Sequence, residues 1–437
     1  MKKSNYNPFS HSPQSKEKRT PWTFQGKQKS RGGDISRQTP LPNLKSTLKS
    51  TLKPPPNPIP TPKSKVLIRG KVSNGVIDPQ PSLPVDFSID LVYCWVDGSD
   101  EEWLATKAKF DKSIQDLPVN SIHPRRWKDW DMLRYSIESA NLYAPWIRKI
   151  FVIADYQRPY WYDESNPGKV EFVDHPVLFH DVADHLPVFN SLSLESHLHS
   201  IPGLSEHFIY ANDDTFFGAP VQPEQFFTGD GKALILLTTN PLLTESNLQK
   251  ELLKLQGSSA PPPPKPSRNF PTSSTPPIAI NAETLNRYSI TAYDTAQIQV
   301  NNALDQMGFY DVPRFRLKHQ MKPLRRSWFE FMWNEPVLQP YVFCTSLSRF
   351  GTYKDVCSTT LASLIGLKRN EALGSDIDSK FLTISDTAAN VQKLFMYLKT
   401  VTPKPALYCI NDATTDPSDQ VRNTVTVGLQ TCLPHRL

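Results

Sequence analysis

Short apolar runs alternate with segments of helical periodicity in the first half of the chain. The first run, in SIDLVYCWVDGSDEEW (88–103), predicts a strand that ends before Gly98 and an acidic helical start. Residues Met132, Leu133, Ile137, Ala140 and Leu142 match the period of a helix that Pro145 breaks. Further strands are predicted at 149–155, 169–175 and 207–211, and a helix from about Asn190 to His199.

The second half of the chain is less regular. ALILLTTNPLL (233–243) predicts a strand, 257–277 a proline-rich loop and 283–310 a mostly helical segment. Residues 311–334 are polar and aromatic, and helical character dominates from there to about 400. KPALYCINDATT (404–415) predicts a late strand ending in Asn-Asp, and a helix or irregular cap closes the chain.

Strands that alternate with helices and end in acidic residues predict an α/β sheet. Ligands of open α/β sheets bind at the carboxyl ends of the strands. The Asn212-Asp213-Asp214 stretch, directly after the apolar run 208–211, is therefore a candidate site. Adjacent carboxylates repel unless a cation neutralises them, and Mg²⁺ prefers carboxylates and phosphate oxygens. Capping of a helix or turn is the alternative.

Charge and proline content separate a tail from the body of the 437-residue chain. Residues 1–80 hold 12 of the 41 prolines and 16 Lys/Arg against three acids, a net charge of +13 that leaves −7 for the remainder. We predict a disordered basic tail at 1–85. The catalytic domain then comprises an N-terminal half at 86–230, a spacer with the proline-rich loop and helices at 231–310, and a C-terminal half at 311–437.

The same sequence argues against several classes of protein. The tail has no apolar core of a secretory signal, no run of 18 apolar residues predicts a membrane span, and the five cysteines form no CxxC. We therefore expect a cytoplasmic enzyme with reduced thiols, whose tail could contact the membrane surface. The acidic body argues against a nucleic-acid partner. GxGxxG, GxxxxGK[ST] and GxSxG motifs are absent.

Three other stretches combine charge with a strand end or a loop. Asp97 and Asp100 flank Gly98, where the alternative is an Asx-turn in which Gly98 supplies an unusual φ. His319 lies among basic residues, which could bind phosphate or form a solvated basic face. Asn411-Asp412 repeats the pattern of a strand followed by Asn-Asp, and could be a turn. Together these residues suggest a metal-assisted enzyme for a phosphorylated or nucleotide substrate.

The same stretches resemble the Stealth family. IDLVYCWVDGSDEEW resembles its first conserved region, and the stretch from RRWKDWDMLRYSIESANLYAPW to HFIYANDDTFFG resembles the second. HQMKPLRR and YCINDATT look like the third and fourth, so the resemblance spans about 88–415. The chain departs from the family at Cys94, where a small or hydroxylated residue is usual, and in its proline-rich insert.

The resemblance implies a nucleotide-sugar-binding, Rossmann-like (GT-A-like) α/β fold with a helical insert and a divalent ion, Mg²⁺ or Mn²⁺. It also implies the transfer of a hexose-1-phosphate from a nucleotide sugar similar to UDP-GlcNAc. The acceptor is a hydroxyl of a polysaccharide or oligosaccharide. The expected products are a phosphodiester and a nucleoside monophosphate. A conventional glycosyltransferase that releases nucleoside diphosphate, and a non-enzymatic scaffold, are the alternatives.

The resemblance also assigns roles to residues of this sequence. The expected catalytic residues are Asp97, His319, Arg326 and Asp412, with either His319 or Asp97 as the base. The expected metal ligands are Asp213 and Asp214. The expected substrate-binding residues are Asp100, Arg134, Asn190, Asn212, Arg325 and Asn411.

Overall fold

The structure is a computed structural model that describes residues 83–110, 117–118, 121–179, 185–259 and 282–434. The tail predicted at 1–85 lies outside these ranges except for 83–85. The proline-rich loop predicted at 257–277 lies outside them except for 257–259.

The strands of the described residues are β1 (Ile89–Cys94), β2 (Ile150–Ala154), β3 (Val170–Asp174), β4 (His207–Asn212), β5 (Thr215–Phe217), β6 (Ala233–Pro241), β7 (Phe315–Leu317), β8 (Lys322–Arg325), β9 (Ala372–Ser375), β10 (Ser379–Ile384) and β11 (Leu407–Asp412). The α-helices are α1 (Glu101–Ala108), α2 (Met132–Tyr143), α3 (His175–Leu178), α4 (Ser191–Glu195), α5 (Glu245–Ser259), α6 (Ala282–Arg287), α7 (Ala292–Gln306), α8 (Arg326–Asn334), α9 (Gln339–Ser346), α10 (Ser358–Lys368), α11 (Ala388–Thr400) and α12 (Asp419–Cys432). Among the described residues, no helix is long and apolar enough to cross a membrane.

The central sheet has five strands in the order β3-β2-β1-β4-β8. β1 pairs in parallel with β2 and β4, β2 pairs in parallel with β3, and β8 is antiparallel to β4. Parallel strands covered on both faces are continuously apolar, and β1 and β2 are buried along almost their whole length. The predicted α/β fold with a parallel sheet is therefore confirmed. The boundaries at 230/231 and 310/311 stay predictions.

Two smaller sheets are built from strands that are distant in sequence. β11 pairs in parallel with β10 and antiparallel with β5, and β6 pairs in parallel with β9 and antiparallel with β7. β4 and β5 are joined by the two-residue turn Asp213–Asp214, so this turn links the central sheet to the β10-β11-β5 sheet. A second apolar cluster packs α11 and α12 against β11, with Phe395, Ile410 and Val425 buried.

Two predictions of secondary structure were wrong in detail. The helix expected from Asn190 to His199 ends at Glu195 and continues as a 3₁₀ turn at Leu198–Ser200. The helical stretch expected up to about 400 contains the strands β9 and β10. β10 is an edge strand whose residues are mostly exposed or half-buried, so it lacks the apolar run that identified the inner strands.

Candidate active site

The carboxyl ends of β1, β2 and β4 lie along one edge of the central sheet. Asp97 follows β1, Asp155 follows β2 directly, and Asn212–Asp214 closes β4. The order β3-β2-β1-β4 reverses the direction of strand addition between β1 and β4, and open α/β sheets bind ligands in the crevice at such a point. A cavity of about 380 Å³ lies at this edge. The predicted residues that line it are Asn190, Asn212, Asp213, Asp214, His319, Asn411 and Asp412.

Asp213 lies in the turn between β4 and β5. Desolvation raises the pKa of its carboxyl well above the usual value, and the neighbouring charges of Asp214 and Asp129 raise it further. A negative charge on Asp213 is unfavourable, because the carboxyl is buried and two other carboxylates lie nearby. A bound cation would remove this penalty.

Asp214 is partly buried and contacts two side chains from distant parts of the chain. Its Oδ2 lies 3.4 Å from Nε2 of His319, and Oδ2 also accepts a 3.3 Å hydrogen bond from the thiol of Cys409 on β11. Its Oδ1 is buried and accepts no hydrogen bond from the described part of the chain. The ligand atoms of Asp214, His319 and Cys409 lie within 4.8 Å of one another, so the group could hold a metal ion.

Asp412 ends β11 and is held by several donors. Its Oδ2 accepts a 2.8 Å hydrogen bond from the indole of Trp130 and lies 3.6 Å from the ammonium of Lys128. Its Oδ1 accepts from the backbone and hydroxyl of Thr414. Lys128 also donates to the Thr414 hydroxyl and lies 3.9 Å above the Trp130 ring. Asp412 therefore fixes a lysine at the wall of the cavity.

The chain before α2 contributes a basic and aromatic segment to the same cavity. A 3₁₀ turn at Pro124–Trp127 presents Arg125 and Arg126, and Lys128 follows it directly. Gly98 packs against this turn so closely that an added Cβ would lie 1.8 Å from the Trp127 carbonyl oxygen. The glycine is thus required for space. The expectation that Gly98 supplies an unusual φ was wrong, because its φ is not positive.

The two acids around Gly98 have local structural partners. Asp97 Oδ1 accepts from the backbone and hydroxyl of Ser99, which is an Asx-turn, and its backbone pairs with Gln157. Asp100 is the N-cap of α1 and accepts from the backbone of Glu102 and Trp103. The structure places both at the loop after β1, outside the lining of the cavity.

A third carboxylate, Asp129, lies behind this loop. It accepts hydrogen bonds from the Trp95 indole and the Asp131 backbone. Desolvation is the largest cause that raises its pKa, to about 6, and the charges of Asp131 and Asp97 add to this effect. Asp129 is not part of the cavity lining, and its charge acts on Asp213 from outside the cavity.

The structure does not bring Arg325 and Arg326 to this edge. Arg325 pairs in register with His207, at the amino end of β4, because β8 runs antiparallel to β4. Its guanidinium binds Glu206, and that of Arg326 binds Glu330 one helical turn further on. Arg134 lies beside Asp131 and Tyr160, also outside the cavity lining.

Three predicted asparagines line the cavity and also have partners within the protein. Asn190 caps α4 through its side chain and donates to Ser348 and to Asp355, which joins distant segments. Asn411 lies beside Asp412 at the end of β11, and its amide donates to the Asp412 carbonyl. The amide nitrogen of Asn212 lies 3.4 Å from Nε2 of His319 and donates to it in the tautomer whose Nε2 carries no proton.

Sequence reasoning missed several charged residues that line the cavity: Arg125, Arg126, Lys128, Asp155, His175 and Glu195. The alternation of basic and aromatic residues in RRWKDW was a signal for the first three. Asp155 ended a predicted strand in the same way as Asp213. Glu195 gave no signal, because its partners Tyr210 and Thr359 are brought to it only by the tertiary fold.

Comparison with known families identifies two segments of the chain. The model described as Stealth protein CR1, conserved region 1, matches residues 87–115, and that described as Stealth protein CR2, conserved region 2, matches 126–235. The chain carries these two conserved regions of Stealth proteins. The matched ranges include β1, β2, β4 and Asp213–Asp214, and the second begins at Arg126, inside the basic 3₁₀ turn. The third and fourth regions expected at HQMKPLRR and YCINDATT stay predictions.

Several polysaccharide phosphotransferases match this chain over about 150 residues. An exopolysaccharide phosphotransferase of Streptomyces coelicolor is 46% identical over 149 residues, which cover 34% of this chain and 27% of the relative. A receptor polysaccharide phosphotransferase of Streptococcus gordonii is 39% identical over 157 residues, 36% of this chain and 46% of the relative. A capsular polysaccharide phosphotransferase of Streptococcus pneumoniae is 37% identical over 157 residues, with the same 36% and 46% coverage.

The matched segments span only about a quarter to a half of these relatives. Among solved structures, mouse xyloside xylosyltransferase 1 in its apo form superimposes with a TM-score of 0.30 and 10% identity, over 74% of this chain and 97% of that one. A likeness at this level supports no conclusion about function.

Proposed function

We propose that this protein transfers a hexose-1-phosphate from a nucleotide sugar to a hydroxyl of a polysaccharide or oligosaccharide acceptor. One observation carries the proposal: a single cavity contains Asp213, Asp214 and His319 together with the basic Arg125, Arg126 and Lys128. The relatives that share this segment are named polysaccharide phosphotransferases. We propose a place in the synthesis of capsule, exopolysaccharide or another glycoconjugate.

The carboxylates are the residues that would hold a divalent ion. The buried Oδ1 of Asp214, which has no hydrogen-bond partner in the described ranges, and the raised pKa of Asp213 both fit a cation. Burial raises the pKa of the Cys409 thiol, which donates to Asp214, so this sulfur could bind an ion only after it loses that proton. The remaining donors are mainly oxygens, which suit Mg²⁺ or Mn²⁺. When bound, such an ion would neutralise charge on the diphosphate.

The basic side of the cavity binds the phosphates in this proposal. Guanidinium groups donate two parallel hydrogen bonds to phosphate oxygens, and Arg125 and Arg126 supply such groups at the cavity wall. Lys128, fixed by Asp412 and Thr414, adds a third cation. Asp412 is then a positioning residue, since both of its carboxylate oxygens accept from protein donors.

The transfer step needs a group that takes the proton of the acceptor hydroxyl. The hydroxyl oxygen bonds to the β-phosphorus, the bond from that phosphorus to the bridging oxygen breaks, and nucleoside monophosphate leaves. We assign the proton to His319, because its ring lies in the cavity and Asp214 can stabilise the imidazolium. Asp97 is less suited, since Ser99 donates twice to its Oδ1.

The place of action forms a separate part of the proposal. We propose a cytoplasmic enzyme whose basic segment 1–80, with a net charge of +13, is held at anionic lipid. Deletion of 1–80 should release the protein from anionic vesicles and leave transfer to a sugar acceptor intact. Unchanged vesicle binding would contradict the membrane contact alone.

Identification of the released nucleotide tests the proposed reaction. The full chain is incubated with several nucleotide sugars, Mg²⁺ or Mn²⁺ and oligosaccharide acceptors. We expect a nucleoside monophosphate as the product. Release of nucleoside diphosphate would favour a conventional glycosyltransferase. No release with any donor, combined with an intact cellular role for Asp213→Ala, would favour a scaffold.

A further inference from the structure

A second polar group lines the cavity two strands away from Asp213 and Asp214. Asp155 follows β2, and His175 follows β3, which is the strand next to β2. Nδ1 of His175 lies 3.8 Å from Oδ1 of Asp155, which is too long for a hydrogen bond. Both side chains line the cavity, and neither has a role in the phosphate chemistry described above.

His175 is a buried polar side chain whose ring forms no hydrogen bond with any of the described residues. The residue is 4% exposed, and neither ring nitrogen forms a hydrogen bond within the described part of the chain. Buried polar groups are almost always hydrogen-bonded, because a buried group without a partner loses the hydrogen bonds that it would form with water. A histidine kept in this state at a cavity wall is explained by a ligand that supplies the missing partner.

Asp155 also keeps its carboxylate available. The neighbouring Asp174 is occupied by two hydrogen bonds from the guanidinium of Arg158 and one from the Tyr156 backbone. Among the described residues, His175 is the one basic side chain within ion-pair distance of the Asp155 carboxylate. Burial, with the charge of Asp174, raises the pKa of Asp155 to about 6, and burial lowers the pKa of His175 to about 4. Near neutral pH the pair is therefore a carboxylate and a neutral imidazole.

The position of Asp155 in the sheet indicates the chemistry of the ligand. In dinucleotide-binding sheets, which share the strand order 3-2-1-4, the pyrophosphate lies at the turn after the first strand. A carboxylate at the end of the adjacent second strand accepts hydrogen bonds from the ribose hydroxyls. Asp155 occupies that place, one strand from Cys94 at the end of β1.

We propose that Asp155 and His175 form a subsite for the ribose of the nucleotide donor, with Asp155 accepting from the 2′-hydroxyl and His175 bonding the adjacent hydroxyl. Two neighbouring hydroxyls are complementary to this pair, because the carboxylate accepts and the neutral ring offers one donor and one acceptor. This inference rests on the proposed function for the identity of the donor. It adds a requirement for a ribonucleotide in place of a deoxyribonucleotide.

Nucleotide binding tests the subsite without any transfer reaction. The affinities of the full chain for UMP, CMP, GMP and AMP are measured by calorimetry with Mg²⁺, and the base that binds best is compared in its ribose and 2′-deoxyribose forms. We expect the ribonucleotide to bind at least about tenfold more tightly, since a site built around a hydroxyl rejects a ligand that lacks it. Asp155→Asn should reduce this ratio to near one.

Variants and controls separate recognition from folding. His175→Gln, which keeps a polar side chain, should weaken the 3′-hydroxyl preference measured with 3′-deoxynucleotides. Glu251→Gln, on the exposed surface of α5, should keep both ratios. Equal weakening of ribose and deoxyribose forms by Asp155→Asn, or binding of none of the four nucleotides, would overturn the subsite. Loss of the ratio in Asp155→Asn, together with phosphate transfer by the unsubstituted chain, supports both proposals. An unchanged ratio in Asp155→Asn, with transfer by the unsubstituted chain, contradicts the subsite alone.

Discussion

The carboxylate of Asp214 and the imidazole of His319 lie 3.4 Å apart, although 104 positions separate the residues in the sequence. The two are brought together because β8, which begins shortly after His319, pairs antiparallel with β4, and β4 leads directly to Asp214. This pair marks the meeting point of the second Stealth region with the later part of the chain. An acid that could hold a cation and a group that can carry a proton therefore share one cavity.

Asp214→Asn should weaken the response to divalent metal. The substitution keeps the size of the side chain and removes the negative charge of a carboxylate whose Oδ1 accepts no hydrogen bond from the residues that the structure describes. We expect the concentration of Mg²⁺ or Mn²⁺ needed for half-maximal transfer to rise at least about tenfold. The metal titration is compared with that of Glu251→Gln, an exposed carboxylate on α5. An unchanged titration would remove Asp214 from the metal site.

The basic residues at the two ends of β4 should differ in their effects. Arg125→Ala combined with Arg126→Ala removes two cations from the cavity wall, and we expect kcat/KM for the donor to fall by about a hundredfold or more. Arg326→Ala should change it less than about twofold, because its ion pair with Glu330 lies on α8 and exposed pairs are weak. The reverse order of effects would restore the role expected for Arg326 from sequence.

Gly98→Ala should destabilise the protein and lower its activity together. The new Cβ would collide with the Trp127 carbonyl and displace the turn that carries Arg125 and Arg126. Overpacking of this kind costs about 1–3 kcal/mol, measurable as a lower free energy of unfolding in urea. Gly168→Ala is the comparison: its positive φ of 59° strains the backbone, but its surroundings are open, so activity should persist. Equal activity of the two variants would contradict the packing argument.

His175→Gln should make stability less sensitive to acid. The pKa of His175 is lowered from 6.5 to about 4 in the folded state, mainly by burial. Between these values the unfolded chain binds more protons, so the free energy of unfolding falls as pH decreases from 6.5 to 4. The loss from this residue is roughly 3 kcal/mol. Buried carboxylates with a raised pKa, such as Asp155, change the free energy of unfolding in the opposite direction with pH. The measurement is therefore the difference in the free energy of unfolding between the unsubstituted protein and His175→Gln at each pH. A difference that stays constant between pH 6.5 and 4 would contradict the prediction.

The inner strands of the central sheet could be predicted because burial on both faces makes each an apolar run. The sequence predicts β1, β2 and β4 from such runs. Because parallel strands end at the same edge of a sheet, it also predicts that the acids after these strands lie at one edge. β10 was not predicted, because an edge strand is partly exposed to solvent and therefore lacks a continuous apolar run. Asp213 and Asp214 could be found as a pair, since adjacent carboxylates after a buried strand are unfavourable without a counter-charge.

The basic side of the candidate site could not be predicted as well. His319, Arg325 and Arg326 are close in sequence, and a cluster was expected. The antiparallel pairing of β8 instead carries Arg325 to the amino end of β4 while His319 stays at the carboxyl end. Arg125 and Arg126 reach the cavity because Gly98 allows the 3₁₀ turn to pack against the loop after β1. Such contacts depend on strand register and close packing, which neither composition nor periodicity reports.

The fate of the β-phosphorus tests the central claim most directly. A nucleotide sugar labelled at that atom is incubated with the full chain, Mg²⁺ or Mn²⁺ and an oligosaccharide acceptor, with His319→Gln as the inactive comparison. The account predicts that the label appears in the acceptor as a phosphodiester, with nucleoside monophosphate released unlabelled, and that His319→Gln lowers this rate by about a hundredfold or more. Label retained in nucleoside diphosphate while sugar reaches the acceptor would contradict it.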